Sequence, residues 1–396
     1  MRSLLIQLIV FSAIFFKGSI SFSNEETYKQ LQLFGDVFEI IGKEFVTEVD
    51  NVDALESAIN GMLSSLDPYS GYMNIDKYEK MQIETEGQFG GLGIEVTMDE
   101  GFIKVIAPIE GTPASEAGIK AGDFITHLDG EQILGKTLQE AVELMRGPVN
   151  TKITLSIARK NQNDEPEYFD IDIVRKSIVV DSVQYAIIDN VGYIKIVTFN
   201  EQAEKGMLRA IKKIRSGIGN EKNKGFIIDL RNNPGGLLSQ AIGVSDSFLE
   251  GGEIVSTRGR NNDISRFNAR KGDITYDKPI IILINEGSAS ASEIVAGALQ
   301  DHKRAIILGK KSYGKGSVQS IIPLGKDGAL RLTTAHYFTP SGKLIKDIGI
   351  TPDIEIEQKN DDRITFIKTD GEVIEEIKND SQLSYAINLL ANLPTV

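Results

Sequence analysis

Beyond about residue 165 the chain alternates short, largely apolar runs with stretches of helical periodicity, and this constrains the fold more than any other feature of the sequence. Residues 191–196, 225–230, 279–285 and 305–309 lack the polar alternation of a half-exposed strand, so they read as strands covered on both faces. Between them, 203–216, 237–249 and 290–299 carry apolar positions at helical spacing. Strands of that kind joined through helices predict an α/β layer. The preceding part differs. Residues 93–98, 102–106, 124–128 and 152–158 are β-rich runs punctuated by glycine and proline, with helical pieces at 114–118 and 138–145, which predicts a small mixed β unit. Earlier still, Leu31, Phe34, Val37, Phe38 and Ile41, then Leu55, Ile59, Met62 and Leu63, predict two amphipathic helices, the second ended by Asp67-Pro68-Tyr69-Ser70-Gly71.

At about 150 residues per domain, a chain of 396 accommodates two or three domains. The expected divisions are a signal peptide at 1–23, a helical region at 24–84, the β unit at 85–164, the α/β core at 165–355 and a C-terminal extension at 356–396. The break at 164 rests on the polar run Asn161-Gln162-Asn163-Asp164-Glu165-Pro166. At the amino terminus, Arg2, the apolar run from Leu4 to Phe16 and the short Ser21-Phe22-Ser23 match the three regions of a secretory leader, against the alternative of a buried helix. No later stretch approaches the roughly 18 apolar residues of a membrane span. An exported, soluble chain without cysteine fits the bacterial periplasm.

The absence of cysteine excludes disulfides, a thiol nucleophile, an iron–sulfur cluster, a Cys-based zinc site and a lipid anchor on cysteine. His127, His302 and His336 form no close ligand pattern, so neither metal nor cofactor is expected. A net charge of −13 argues against nucleic acid as a partner. Any chemistry must therefore use oxygen and nitrogen side chains.

Three loops could hold such chemistry. The strand candidate ending at Asp229 and Leu230 runs into Arg231-Asn232-Asn233-Pro234-Gly235-Gly236 and a helix, a junction whose free N–H groups suit an oxyanion, or simply a connecting turn. The strand at 279–285 runs into Glu286-Gly287-Ser288-Ala289-Ser290-Ala291-Ser292-Glu293 and an apolar helix. Small residues there would admit a substrate backbone. Ser290 and Glu293 also make a capping box, and spacing does not choose among Ser288, Ser290 and Ser292. In the third loop, Gly309 and Gly314-Lys315 imitate a phosphate-binding loop. Gly316 stands where Ser or Thr must hold magnesium, and a strand rather than a helix follows. Lys315 between two glycines could instead be enclosed. A serine nucleophile needs a base, and burial can lower a lysine's pKa from about 10.4 far enough to supply one. Gln319 is a neutral group able to orient the amine without stabilising its charge.

On residues 229–238, 287–301, 312–319 and 333–342 the chain resembles the carboxyl-terminal processing proteases, also called tail-specific proteases, and the similarity runs from about 67 to 353. The resemblance implies a mixed α/β multidomain fold with a crotonase/ClpP-like α/β protease core, a PDZ domain and an N-terminal helical region. It also implies Ser290 as nucleophile, Lys315 as base and Gln319 as support, with oxyanion donors from the backbone of Ala291 and of Gly235 or Gly236. Asp301 is sometimes grouped with the catalytic set and reads here as structural; Glu293 is a weaker candidate. Gly91, Leu92, Gly93 and Ile94, before a strand, are similar to the loop with which a PDZ domain adds a peptide as an extra strand and holds its terminal carboxylate. The implied activity is periplasmic endoproteolysis, in processing and quality control, of proteins with unstructured apolar C-termini. A silent PDZ scaffold is the alternative, a crotonase-like acyl-group enzyme a more distant one, and a homo-oligomer or adaptor is left open.

Overall fold

The computed structural model describes residues 24–161, 165–180, 182–270, 272–357 and 380–393. The expected signal peptide and residues 358–379 of the expected C-terminal extension lie outside them. The chain divides into two compact units, 1–72 and 73–396.

In the first unit the two amphipathic stretches are helices Asn24–Glu44 and Asn51–Ser64. Asp50 opens the second by accepting the N–H groups of Val52 and Asp53 at 2.8 and 3.0 Å, two of the donors that a helix start leaves over. Leu31, Phe34, Val37 and Ile41 of the first helix are exposed.

The second unit opens with helix Ile75–Glu86, which periodicity did not indicate. None of its residues is buried, so it has no apolar stripe to detect; Asn74 caps its start and Gly87, at φ 65°, its end. The small β unit follows. Strands Ile94–Asp99, Phe102–Pro108, Phe124–Leu128, Lys152–Lys160 and Pro166–Val174 lie side by side in that order, all antiparallel. Their inward side chains, among them Ile103, Val105, Ile125, Leu155 and Ile157, pack on Ala141 and Met145 of helix Leu138–Met145. The polar run at 161–166, which suggested a break between domains, connects two paired strands, Lys160 opposite Pro166 and Lys152 opposite Val174. The β unit's sheet thus continues through Val174, because the apolar positions 169, 171 and 173 face the same core.

The α/β layer is one sheet whose strand order follows chain order: Val183–Ile188, Val191–Ile196, Gly225–Asp229, Ile280–Ile284, Ala305–Gly309 and Ile354–Glu355. The first pair is antiparallel and every later pair parallel. Within the apolar runs alternate residues face opposite sides. Ile228, Ile282 and Ile307 meet helices Ala203–Ile218, Leu238–Asp246 and Ala291–Asp301. Ile227, Ile281, Leu283 and Leu308 meet helix Ser381–Asn392 on the other side. Because both faces are covered, the strands read as continuous apolar runs. A second, antiparallel sheet contains strands Ser317–Pro323, Ala329–Phe338, Gly252–Gly259 and Ile264–Ala269, paired in that order.

Ile282 sits fully buried in a central strand. Ile282→Ala is expected to cost about 3–4 kcal/mol through the lost transfer energy and the cavity left, read as a lower denaturant midpoint at unchanged slope.

Candidate active site

Three turns meet at the C-terminal ends of the parallel strands, where open α/β sheets place their ligands. The first follows strand Ile280–Ile284. Asn285 fixes it by accepting from the N–H groups of Asn232 and Gly287 at 2.8 and 3.1 Å, while its amide donates to Asn232 Oδ1 at 2.9 Å. The three serines then separate by their partners. Ser288 Oγ donates to the carbonyl of Leu230 at 2.8 Å and Ser292 Oγ to that of Asn233 at 2.9 Å, so both protons are engaged in holding the turn. Ser290 donates to no carbonyl among the described residues. Its backbone lies at φ 55°, ψ −112°, a conformation costly for a residue with a Cβ, and it stands at the start of helix Ala291–Asp301. A strained serine on a strand–turn–helix corner is the arrangement that lifts a nucleophile clear of its neighbours.

Glu293 ties this turn to the lysine loop. It is wholly buried, and its carboxylate accepts four hydrogen bonds. Oε2 takes the N–H of Ser290 at 2.8 Å and of Lys315 at 2.9 Å; Oε1 takes Ser312 Oγ and the N–H of Gly314, both at 2.6 Å. The backbones of Ser290 and Lys315 therefore meet on one oxygen atom. Burial pushes the Glu293 pKa up, and the four donors pull against it. Sequence marks Glu293 as the capping partner of Ser290 and a weaker site candidate, but nothing in local spacing reveals that its other donors come from a loop some twenty residues on. Ser312 was missed for the same reason.

Lys315 is half-buried at the entry of strand Ser317–Pro323. Gly316 is required there, since a Cβ would lie 2.1 Å from the backbone nitrogen of Lys346. Burial lowers the pKa of Lys315 below its ordinary 10.5, Arg331 lowers it further by charge repulsion, and Glu293 opposes both. Arg331 lies opposite Ile321 in the neighbouring strand, two residues before Thr333, and sequence gave no sign of it. Gln319 Nε2 donates to Ser317 Oγ at 2.7 Å and to Thr333 Oγ1 at 3.3 Å, which fixes the amide's orientation beside the lysine loop.

The third turn leaves strand Gly225–Asp229. Asn233 organises it: its amide donates to the carbonyl of Ile196 at 2.7 Å, its Oδ1 accepts the N–H of Gly235 at 2.9 Å, and its carbonyl accepts the N–H of Ala289 at 3.0 Å. The Gly235 N–H is thereby engaged, which distinguishes it from that of Gly236. A Cβ on Gly235, at φ 104°, would stand 2.8 Å from Ser290 Cβ and 3.0 Å from the Ala291 nitrogen, so the glycine backbone closes directly on the serine.

Two other expected groups lie elsewhere. Asp301 ends the helix that Ser290 begins, eleven residues and hence about 16 Å away, where it accepts the N–H of Ser341 at 2.9 Å. Gly91 to Ile94 lead into strand Ile94–Asp99, which pairs on one side only among the described residues and so presents an open edge. Leu92 is buried in the core of the β unit, and Gly93, at φ 76°, leaves room for Thr112.

The sequence profile of peptidase family S41 matches residues 190–356, that of a PDZ domain residues 104–159, and that of the activating protease CtpB N-terminal domain residues 17–77. Gly91 to Ile94 precede the PDZ match. A carboxy-terminal-processing protease of Bartonella bacilliformis is 58% identical over 349 residues, covering 88% of this chain and 80% of that protein. A carboxyl-terminal-processing protease of Synechocystis sp. is 35% identical over 316 residues, covering 78% of this chain and 72% of that protein. The solved structure of a photosystem II D1 C-terminal processing protease aligns at 25% identity and a TM-score of 0.48, covering 83% of this chain and 93% of that one.

Two substitutions probe the geometry. Ser290→Gly removes the Cβ from a strained φ and is expected to be about 1 kcal/mol more stable than Ser290→Ala, seen as a higher melting temperature although neither retains the hydroxyl. Glu293→Gln places an amide donor against two of the four donors and is expected to cost about 3 kcal/mol, with a fall in turnover of at least about tenfold as the loops separate.

Proposed function

Because this chain belongs to peptidase family S41, among its carboxy-terminal-processing proteases, and is thus a serine-type peptidase, we propose that Ser290 is its nucleophile and Lys315 its general base. The observation that carries this reading is the Glu293 carboxylate, which brings the backbones of both residues onto one oxygen. The neutral lysine amine takes the proton as Ser290 Oγ bonds to the substrate carbonyl carbon. The tetrahedral intermediate then collapses, the C–N bond breaks, and the lysine gives its proton to the leaving amine. Water, deprotonated in turn by Lys315, then adds to the acyl carbon, the ester bond to Ser290 Oγ breaks, and the lysine returns its proton to that oxygen as the acid product leaves. The Ala291 and Gly236 N–H groups receive the oxyanion, each worth about 3 kcal/mol in a site of this type. Gln319 orients the amine.

The substrate is a protein with an unstructured apolar C-terminus. Strand Ile94–Asp99 has an open edge onto which such a tail can add as a further strand, and the glycine loop before it offers N–H groups to the terminal carboxylate. The leader-like residues 1–23 support export to the periplasm, where cleavage of such tails would serve processing and quality control. No helix among the described residues is long and apolar enough to cross a membrane.

The test is cleavage of an unstructured reporter ending in a free apolar tail, or in the same tail with a charged, amidated end. Ser290→Ala and Lys315→Ala are expected to abolish turnover while both proteins still bind the free tail; a Lys315→Ala protein of full activity would overturn the assignment of the base. Turnover should rise with pH as the amine loses its proton and level off above its lowered pKa. Arg331→Gln removes a neighbouring cation, so the midpoint of that rise should move to higher pH.

A further inference from the structure

The turn that presents Gly236 has a second anchorage, on the opposite side of the sheet from helix Ala291–Asp301. Arg231, almost wholly buried, sends its guanidinium toward helix Ser381–Asn392. Nε donates to Asp229 Oδ1 at 2.9 Å, and Nη2 to Asp229 Oδ2 at 2.6 Å and Asp380 Oδ2 at 2.7 Å. Nη1 donates to Asp380 Oδ1 and to Gln382 Oε1, both at 3.0 Å. Each of the five N–H bonds of the guanidinium thus has an acceptor, and a saturated planar fork admits one orientation. The acceptors are themselves fixed. Tyr193 donates to Asp229 Oδ2 at 2.6 Å, Leu383 N–H to Asp380 Oδ1 at 3.0 Å, and Gln382 Nε2 to the carbonyl of Ile356 at 2.8 Å.

We propose that Asp380 and Gln382 are positioning residues for the reaction: by fixing Arg231 they hold the chain that carries Gly236 at the distance from Ser290 at which its N–H meets the developing oxyanion. This rests on the reading of Ser290 and Gly236 given above. Arg231 is next to Asn232, which bonds Asn285, and two residues before Asn233, which bonds the carbonyl of Ile196 and the N–H groups of Gly235 and Ala289. A displacement at Arg231 is therefore transmitted along a continuous chain of hydrogen bonds to both sides of the nucleophile turn. Burial opposes the guanidinium's charge, and Asp229 and Asp380 overcome that opposition, so the cation persists in the interior. With one carboxylate removed it must move to recover an acceptor.

The experiment uses the full mature chain and the free-tailed reporter. Asp380→Asn is expected to lower kcat by about ten- to a hundredfold, the loss typical of a small misplacement at a reacting centre, with KM and the pH midpoint unchanged, because neither tail binding nor Lys315 is touched. Leu390→Ala opens a cavity between the same helix and the sheet and should lower the melting temperature while leaving kcat as it was. Should Asp380→Asn fail to fold, Gln382→Leu removes one acceptor of Arg231, with the donor to Ile356, and must show the same split between kcat and KM. The proposal is overturned if Asp380→Asn, or Gln382→Leu in its place, keeps kcat within about twofold, or if kcat falls no further than in a Leu390→Ala protein of equal melting temperature. Ser290→Ala, measured beside them, separates the two ideas: if it turns over like the parent chain, the nucleophile assignment fails instead.

Discussion

A carboxylate with no exposure to water holds the reactive loops in register. Taking Glu293 out of solvent costs several kcal/mol by itself, and it is tolerable because four donors converge on two oxygens. Two of those donors are the backbone nitrogens of Ser290 and Lys315, so the separation of these two backbones follows from hydrogen-bond geometry. Such a bond tolerates a few tenths of an ångström.

Lys315 and Arg231 show the same interior put to opposite uses. Arg231 is surrounded by carboxylates and is fixed as a cation. Lys315 is shifted toward the neutral amine by burial and by a nearby cation, Arg331, against the pull of Glu293, whose oxygens already take four other donors.

Much of the scaffold was legible in sequence because burial on both faces leaves a plain signal: the runs ending at Asp229, Ile284 and Gly309 are strands. Helix Ile75–Glu86 was not, since it buries nothing, and strand Pro166–Val174 was obscured by the polar run before it. Within the site, residue types and glycine positions pointed to the three turns, and resemblance chose Ser290. What sets the other two serines apart is visible only in space, where Ser288 and Ser292 each donate to a carbonyl more than fifty residues away in sequence. Asn233, Arg331 and the loop donors to Glu293 were hidden likewise, because their partners lie on other elements. The distinction between Gly235 and Gly236 depends on one side-chain oxygen, that of Asn233.

The order in which a chain is made gives the Arg231 cluster a further meaning. Asp380 lies 149 positions after the arginine it binds, whereas the turn, the serine and the lysine are all present well before it. A chain still emerging from a ribosome has Asp229 beside Arg231 but not yet the other half of the cluster. Each further residue in so long a segment adds little to the entropy cost of closing it, and the closure comes late in time. A chain braced in this way has its buried arginine fully partnered only once synthesis has passed Asp380 and Gln382.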